Sequence, residues 1–508
     1  MAAIDRHAIE AIGLKGSLLM ENAGRAVSER LFSLLNEEDR IGVIIGKGNN
    51  GGDGFVIARY LIDKGYNTEV WLIPEEDAIK GDALEHMRIY KNAGGSIRSL
   101  PAEGWEAFKN AMERWTVLVD ALLGTGVKGA PRAPYDEVIR LINRSPAKVI
   151  AVDLPSGVPA VGGAFEHEAV QADHTFTLQC PKLAQYTFPA RHFYGRTEVL
   201  DIGIPKAALA AVLGEEKRTL WTWRDVERTF PIRARAAHKG DHGKGLIVAG
   251  SKNMPGAAAL AVRAASRAGA GLLTASVPES VRAIIGAQAP EAMYADIDWE
   301  RPSEAERQLS RYDAVAFGPG VGRSGETERR LLTLLEAYHG PLIIDADGLY
   351  FLRAHLDRLT KRGAPVILTP HAGEMARLIG GSIDKVENDR FGLSRRFAAE
   401  YGVHLVLKGP YTIVTTPEGR QFVNATGNPG LAKGGSGDVL TGILLGFVMQ
   451  HARLHEAVCN AVFLHGAAAD RLVERRHAMS AILPSDLIAE LANVIPSIAT
   501  TCCYLTSD

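Results

Sequence analysis

Along the first 200 residues, short aliphatic and β-branched runs alternate with stretches whose apolar positions recur at helical spacing. Runs at 41–45, 68–73, 116–119, 148–152 and 174–178 predict strands, and stretches such as 55–64 and 78–93 predict helices between them. That βα alternation predicts an α/β fold with a doubly wound, mostly parallel sheet. Near residue 200 the pattern breaks at Asp201-Ile-Gly-Ile-Pro205, followed by the polar stretch Gly214-Glu-Glu-Lys-Arg218. A second alternation then begins, with strands expected at 245–249, 271–277, 314–317, 341–344, 365–368 and 403–406. Beyond Gly437, the residues Val439, Leu440, Ile443, Leu444 and Phe447 are spaced as one face of a long helix. No fixed-period repeat or low-complexity segment interrupts either half, which predicts two α/β domains, residues 1–212 and 218–508.

Composition narrows the class of protein. The 508 residues are 46% hydrophobic and 23% charged, ordinary values for a globular chain. Lys and Arg number 57 against 59 Asp and Glu, so no global basic excess exists to hold nucleic acid or an anionic membrane. The 4 cysteines form no CxxC pair: Cys180 and Cys459 are isolated, and Cys502 and Cys503 are adjacent. Reduced thiols in a cytosol are the expectation. The start, with Asp5, Arg6 and Glu10, has no signal-peptide core, and Arg263 and Arg267 interrupt the Ala-rich stretch after Ala257. A cytoplasmic protein without membrane spans is expected.

Chemistry gathers at the predicted strand ends. Residues 41–45 run into Gly46-Lys-Gly-Asn-Asn-Gly-Gly-Asp-Gly54, with a helix expected near Phe55. Gly46, Gly48 and Gly51 fit GxGxxG, which lets backbone N–H groups and a helix N-terminus approach an anion. A tight βα turn is the alternative. Two Asn and an Asp replace the small apolar residues of a dinucleotide loop, and no Gly-Lys-Ser/Thr follows. Two more strands end on Asp120 and Asp153, and a helix cap is the alternative role for each of these acids. In an open parallel sheet such ends share one rim. Two carboxylates there need a proton or a cation between them, and a monovalent cation plus one acid/base carboxylate would meet that need.

Met20-Glu-Asn-Ala-Gly24, the 46–54 loop, Asp120-Ala-Leu-Leu-Gly-Thr-Gly126 and Val152-Asp-Leu-Pro-Ser-Gly157 together resemble an NAD(P)H-hydrate epimerase domain. The segment from Pro181-Lys182 to Pro205 resembles its C-terminal part. That family interconverts the R and S forms of hydrated nicotinamide cofactor. The resemblance implies a Rossmann-like domain whose Asn49, Asn50, Gly51, Gly52 and Asp53 contact substrate, as do Gly124, Thr125, Gly126, Val127, Lys128, Gly129 and Ala130. It implies K+ held by Asn50, Asp120 and Ser156, with Asp153 touching the substrate as acid/base. Pro159 stands where the family would place an Asp, and the leading segment is shorter than usual.

In the second half, Asn424-Ala-Thr-Gly-Asn-Pro-Gly-Leu-Ala-Lys-Gly-Gly-Ser-Gly-Asp438 leads into the apolar helix. Gly434, Gly435 and Gly437 let the backbone fold around an anion at a helix N-terminus. Asp438 there can take the proton of a hydroxyl attacking a terminal phosphate, and the alternative is an N-capping Asp in a glycine-rich turn. Phe317-Gly-Pro-Gly-Val-Gly322, Asp345-Ala-Asp347, Thr369-Pro-His-Ala-Gly-Glu374 and Lys408-Gly-Pro-Tyr-Thr412 also follow strands, while His238-Lys-Gly240 precedes one. Asp347 is either structural or an aid to the cation around the phosphates, and His371 either a surface histidine or a ligand.

From His238 nearly to the C-terminus the set resembles the ribokinase-like fold, and within it the NAD(P)H-hydrate dehydratase family. The resemblance implies phosphorylation of the hydrate's hydroxyl and then loss of phosphate. Gly320, His371 through Arg377, and Asp438 would contact the hydrate. Lys408, Gly409, Pro410, Tyr411 and Thr412 would hold the nucleotide with Asn428, Gly430, Lys433, Gly434, Gly435, Ser436 and Gly437. The fused arrangement, as in bacterial members, implies ADP with Mg2+ as phosphoryl donor. Partners implied are NADHX or NADPHX and ADP, in a homo-oligomer, with no nucleic acid or membrane. The alternative is a small-alcohol kinase, for a pyrimidine or thiazole precursor, whose first domain only binds nucleotide or RNA.

Overall fold

In the computed structural model the chain divides into two units, Met1–Glu216 and Lys217–Asp508. The structure describes residues 1–127, 129–214 and 216–504, with side chains as far as residue 495. The first sheet contains β1 (Arg40–Ile45), β2 (Asn67–Leu72), β3 (Ile97–Ser99), β4 (Val117–Ala121), β5 (Lys148–Val152), β6 (His174–Leu178) and β7 (Arg196–Leu200). Their order is β3-β2-β1-β4-β5-β6-β7, parallel throughout. Along β1, Ile41, Val43 and Ile45 enter one core while Ile44 joins Trp71 and Leu118 in another. Period-2 alternation thus buries both faces, as a doubly wound sheet requires. The order reverses between β1 and β4, which brings the C-terminal ends of β1, β4 and β5 side by side at the crevice where such folds bind ligands.

The helix after β1 spans Asn49–Asp63 rather than starting near Phe55. Its first two turns are therefore the glycine-rich segment itself. A Cβ on Gly51 would collide with the Gly46 carbonyl oxygen, and one on Gly54 would lie 2.7 Å from the Ala121 Cβ. Glycine here lets the helix start press onto the strand ends. Neither β3 nor β7 was expected: β3 has 3 residues, and β7 is an edge strand whose side chains are mostly exposed.

The second sheet contains β8 (Arg218–Trp221), β9 (Lys244–Val248), β10 (Leu272–Ser276), β11 (Met293–Tyr294), β12 (Ala314–Phe317), β13 (Leu342–Ile344), β14 (Val366–Leu368), β15 (His404–Leu407), β16 (Thr412–Thr415) and β17 (Gln421–Asn424). Their order is β11-β10-β9-β12-β13-β14-β15-β16-β17-β8. Only the β15-β16 and β16-β17 pairings are antiparallel. The six expected strands are present, whereas β8, β11, β16 and β17, each of four residues or fewer, lack enough sequence to show alternation. Again both faces are buried: Ile247 and Ala316 enter one core, Val248 and Phe317 the other. Among the described residues no helix is long and apolar enough to cross a membrane.

Helix Ser436–Val448 crosses helix Pro255–Arg267 at close range. A Cβ on Gly442 would collide with the Ala261 carbonyl oxygen, and one on Gly446 would lie 2.7 Å from the Ala268 Cβ. Backbone cannot yield as a side chain does, so Gly442→Ala is expected to destabilise the second unit by about 1–3 kcal/mol, despite its gain in helix propensity. Urea unfolding measures this.

Candidate functional site

In the first unit a cleft of about 440 Å³ opens beside the ends of β1, β4 and β5. Asn49, Asn50, Asp53, Gly124, Thr125, Gly126, Val127 and Asp153 line it, together with residues such as Asp5 and Met20 from the leading helices Ala2–Glu10 and Gly16–Phe32. Gly51 and Gly52 are buried beneath the lining, Gly129 and Ala130 lie away from it, and Lys128 is outside the described residues.

Asp153 leaves β5 with φ +67, an unfavourable conformation for a residue with a Cβ. The surroundings fix it there. Its N–H donates to Phe176 O at 2.8 Å, Thr177 Oγ1 donates to its carbonyl at 3.1 Å, and Leu178 N–H donates to Oδ1 at 3.0 Å. Lys182 Nζ pairs with the same Oδ1, and both side chains are buried. This is the over-determination that lets local strain persist at a site.

Beneath the cleft, Asp120 accepts from Ser156 Oγ at 2.6 Å, Ser156 N at 2.8 Å and Leu122 N at 3.2 Å. Burial nevertheless pushes its pKa up to about 6, against those hydrogen bonds. Asn50 Nδ2 donates to Leu123 O at 3.1 Å, and Leu123 N donates to Ser156 Oγ at 2.9 Å. Asn50, Asp120 and Ser156 thus converge on one backbone segment. Asn50 Oδ1 is buried there without a hydrogen-bond partner. An orphaned amide oxygen, with the carboxylate and hydroxyl that meet the same backbone segment, makes an all-oxygen donor set of the kind a hard monovalent cation takes.

In the second unit the glycine-rich loop ends at Gly435, φ +95, which caps helix Ser436–Val448. Asp438 is the third residue of that helix. Burial, and secondarily Asp345, push its carboxyl up to about 6. Lys408, at the end of β15, donates to Asp345 Oδ1 at 2.9 Å and lies 3.9 Å from Glu374 Oε2. Thr441 Oγ1 donates to Asp345 Oδ2 at 2.7 Å. Burial opposes the charge on Lys408, but Asp345 and Glu374 outweigh it and hold the ammonium above its ordinary range. A Cβ on Gly437 would lie 3.5 Å from Lys408 Nζ, so the ammonium abuts the helix start.

The remaining expected residues lie in loops, turns and helix starts of the second unit. Gly409, Pro410 and Tyr411 form the turn between β15 and β16, with Thr412 opening β16. Arg390 shapes that turn by donating to Leu407 O and Lys408 O, both at 3.1 Å. Asn428 accepts from Gly430 N and donates to Asp470, while Lys433 donates to Ser480 O, so these residues build the loop. Gly434 carries open space where a Cβ would stand. Ser436 Oγ lies 3.2 Å from His465 Nε2, a buried imidazole that burial holds down to about 4. His371 caps helix Ala372–Leu378 through Nδ1, which accepts from Gly373 N at 3.0 Å, and its ring stays exposed. Gly320, φ +62, packs against Ala257. Asp347 is engaged by Arg323 Nε and Gly322 N–H, both at 3.0 Å.

Sequence reasoning missed the pairing of Lys182 with Asp153, the partners of Lys408, and His465. Pro181-Lys182 was visible only as part of a family segment, and His465 lies in the otherwise apolar helix Leu454–Glu474. Because Lys182 compensates a buried carboxylate, Lys182→Met is expected to lower first-unit stability by about 3–5 kcal/mol, with Asp153→Asn restoring part of the loss in the double variant. Urea unfolding of the four-member cycle checks this.

Two family models match the chain: "YjeF-related protein N-terminus" over residues 16–184 and "NAD(P)H-hydrate dehydratase" over residues 245–493. A bifunctional NAD(P)H-hydrate repair enzyme from Moorella thermoacetica is 37% identical, covering 97% of this chain and 95% of its own. One from Thermofilum pendens is also 37% identical, over 93% of this chain and 91% of its own. A ribokinase-like superfamily protein from Enterococcus faecalis, 26% identical with a TM-score of 0.51, covers 56% of this chain and 97% of its own. With that identity sustained through both units, the chain belongs to the family of bifunctional NAD(P)H-hydrate repair enzymes.

Proposed function

We propose that this chain repairs hydrated NADH and NADPH in two activities, one per unit. Residues 1–212 interconvert the R and S hydrates, and residues 218–508 dehydrate the S form at the expense of ADP, releasing AMP and phosphate. The observation that carries the second activity is Asp438, a carboxyl in the first turn of a helix whose N-terminus abuts the half-buried Lys408. With the loop's N–H groups and the helix dipole on the phosphates, Asp438 takes the hydroxyl proton as that oxygen attacks the terminal phosphorus. Mg2+ arriving with the nucleotide would neutralise the charge on its phosphates. In the first unit, Asp153 faces the cleft as acid/base, held by Lys182. Asn50, Asp120 and Ser156 would hold K+, whose charge would keep Asp120 ionised and fix the substrate loop. Family membership along nearly the whole chain supports both assignments.

Hydrated NADH supplied with ADP tests the reading by recovery of reduced-nicotinamide absorbance. Recovery from the S form is expected, and Asp438→Ala should lower it about 10²–10⁴-fold. Consumption of the R form should also occur, and Asp153→Ala should abolish that alone. A stable phosphorylated product without recovery would indicate the small-alcohol kinase instead.

The raised pKa of Asp438 fixes the sign of a pH effect. Below about 6 the carboxyl already holds a proton and cannot accept another. The kcat/KM for ADP-dependent dehydration should therefore fall about tenfold per pH unit below that value. An acid limb absent between pH 5 and 6, at roughly unit spacing from the plateau, would contradict the assignment.

A further inference from the structure

Asp53 lines the first unit's cleft, yet among the described residues no hydrogen bond ends on its carboxyl. It is only 7% exposed. The charged groups facing it are Asp153, Asp5 and Lys182, and Lys47 and Asp82 line the same cleft. Lys182 is already committed: its ammonium pairs with Asp153 and donates to Leu178 O and Cys180 O, both at 3.1 Å. Asp53 is therefore left with neither a donor nor a cation of its own. A carboxyl so little exposed, with no donor or cation of its own and another acid facing it, holds its proton more tightly than a fully solvated one. Burial first, and the facing Asp153 next, indeed hold it well above the ordinary carboxylate range.

We infer that Asp53 is the proton donor of the epimerisation, working against the lysine-held carboxylate of Asp153 in the same cleft. This rests on the proposed epimerase activity of the first unit. Paired acids divide acid and base roles when their surroundings separate them, and here one has Lys182 and the other nothing.

The substrate's chemistry can use such a pair. The ring double bonds of a reduced nicotinamide are enamines, so added water leaves its hydroxyl on a carbon bonded to the ring nitrogen. One way to invert that carbon is to break and re-form its C–O bond. The Asp53 proton passes to the hydroxyl oxygen, the C–O pair leaves with it as water, and the nitrogen lone pair closes a C=N bond. Water then enters the opposite face of the planar cation. The C=N pair returns to nitrogen, and the surplus proton goes to Asp153. Water in the open cleft carries the proton back to Asp53.

The test uses the full chain with purified R hydrate, following appearance of the S form in oxygen-18 water. Wild type should incorporate solvent oxygen as it inverts the centre. Asp53→Asn keeps the shape but carries no acidic proton. Its inversion rate above background should fall at least about 100-fold, while hydrate binding changes less than about threefold. Its unfolding temperature should be unchanged or raised, since a group that resists ionisation has been replaced by a neutral one. A role confined to packing would move stability in the opposite sense. The alkaline fall of the wild-type rate, where Asp53 loses its proton, should vanish from the variant's residual rate. Inversion within about threefold of wild type, or a loss matched by lost binding or a lowered unfolding temperature, overturns the donor role. A wild-type chain that leaves the R form uninverted overturns the epimerase reading itself.

Discussion

One buried lysine can neutralise one carboxylate, and each unit places more than one acid beside its lysine. In the first, Lys182 is spent on Asp153; in the second, Lys408 is spent chiefly on Asp345. The acid left over, Asp53 or Asp438, is pushed upward in each case, with burial the largest cause and the paired acid next. Each site therefore sets a lysine-paired carboxylate close to a carboxyl that has no lysine of its own. Neither lysine is replaceable by a neutral residue of similar size, because the charge it answers is itself removed from water.

That arrangement depends on the sheets. Parallel strands send their C-terminal ends to one rim, so residues distant in sequence meet without a long loop. Asp120 and Asp153 leave the adjacent strands β4 and β5, and Lys182 follows β6. Asp345 follows β13 and Lys408 follows β15, with β14 between them. Both Asp153 and Ala346 turn out of their strands with positive φ, so each rim carries backbone that the surrounding hydrogen bonds must hold. Glycine serves the same end differently. At Gly51 and Gly442 it allows backbone to meet backbone, bringing a helix start down onto a strand end in one unit and locking two helices together in the other.

The α/β class and the acids at the strand ends were legible because both depend on local pattern. Strands buried on two faces read as aliphatic runs, and an Asp closing such a run stands out against them. The start of helix Asn49–Asp63 was misread because Asn-Asn-Gly-Gly looks like a loop when tertiary contact is ignored. What favours helix there is the close fit under β1 and β4, which propensity does not contain. Edge strands β7 and β8 were too polar or too short to alternate. Ion pairing was least legible. Lys182 and Lys408 resemble any lysine after a strand until the fold shows which acid each one faces.

Asp53 and Asp120 show how differently the same unit treats two buried acids. Asp120 receives three hydrogen bonds from Ser156 and Leu122, and Asn50, whose amide oxygen is unpartnered, meets the adjoining backbone at Leu123. Its surroundings stabilise negative charge, and burial alone stands against them; a cation would tip the balance fully. Asp53 receives no such bonds, so a cation near Asn50 would be asked to stabilise one carboxylate without ionising the other. The separation of the two works because the N–H and O–H donors converge on Asp120 and leave Asp53 on the cleft wall. Charge in this unit is placed by donors and a lysine together, and the acid that neither reaches is the one positioned to give up a proton to a ligand.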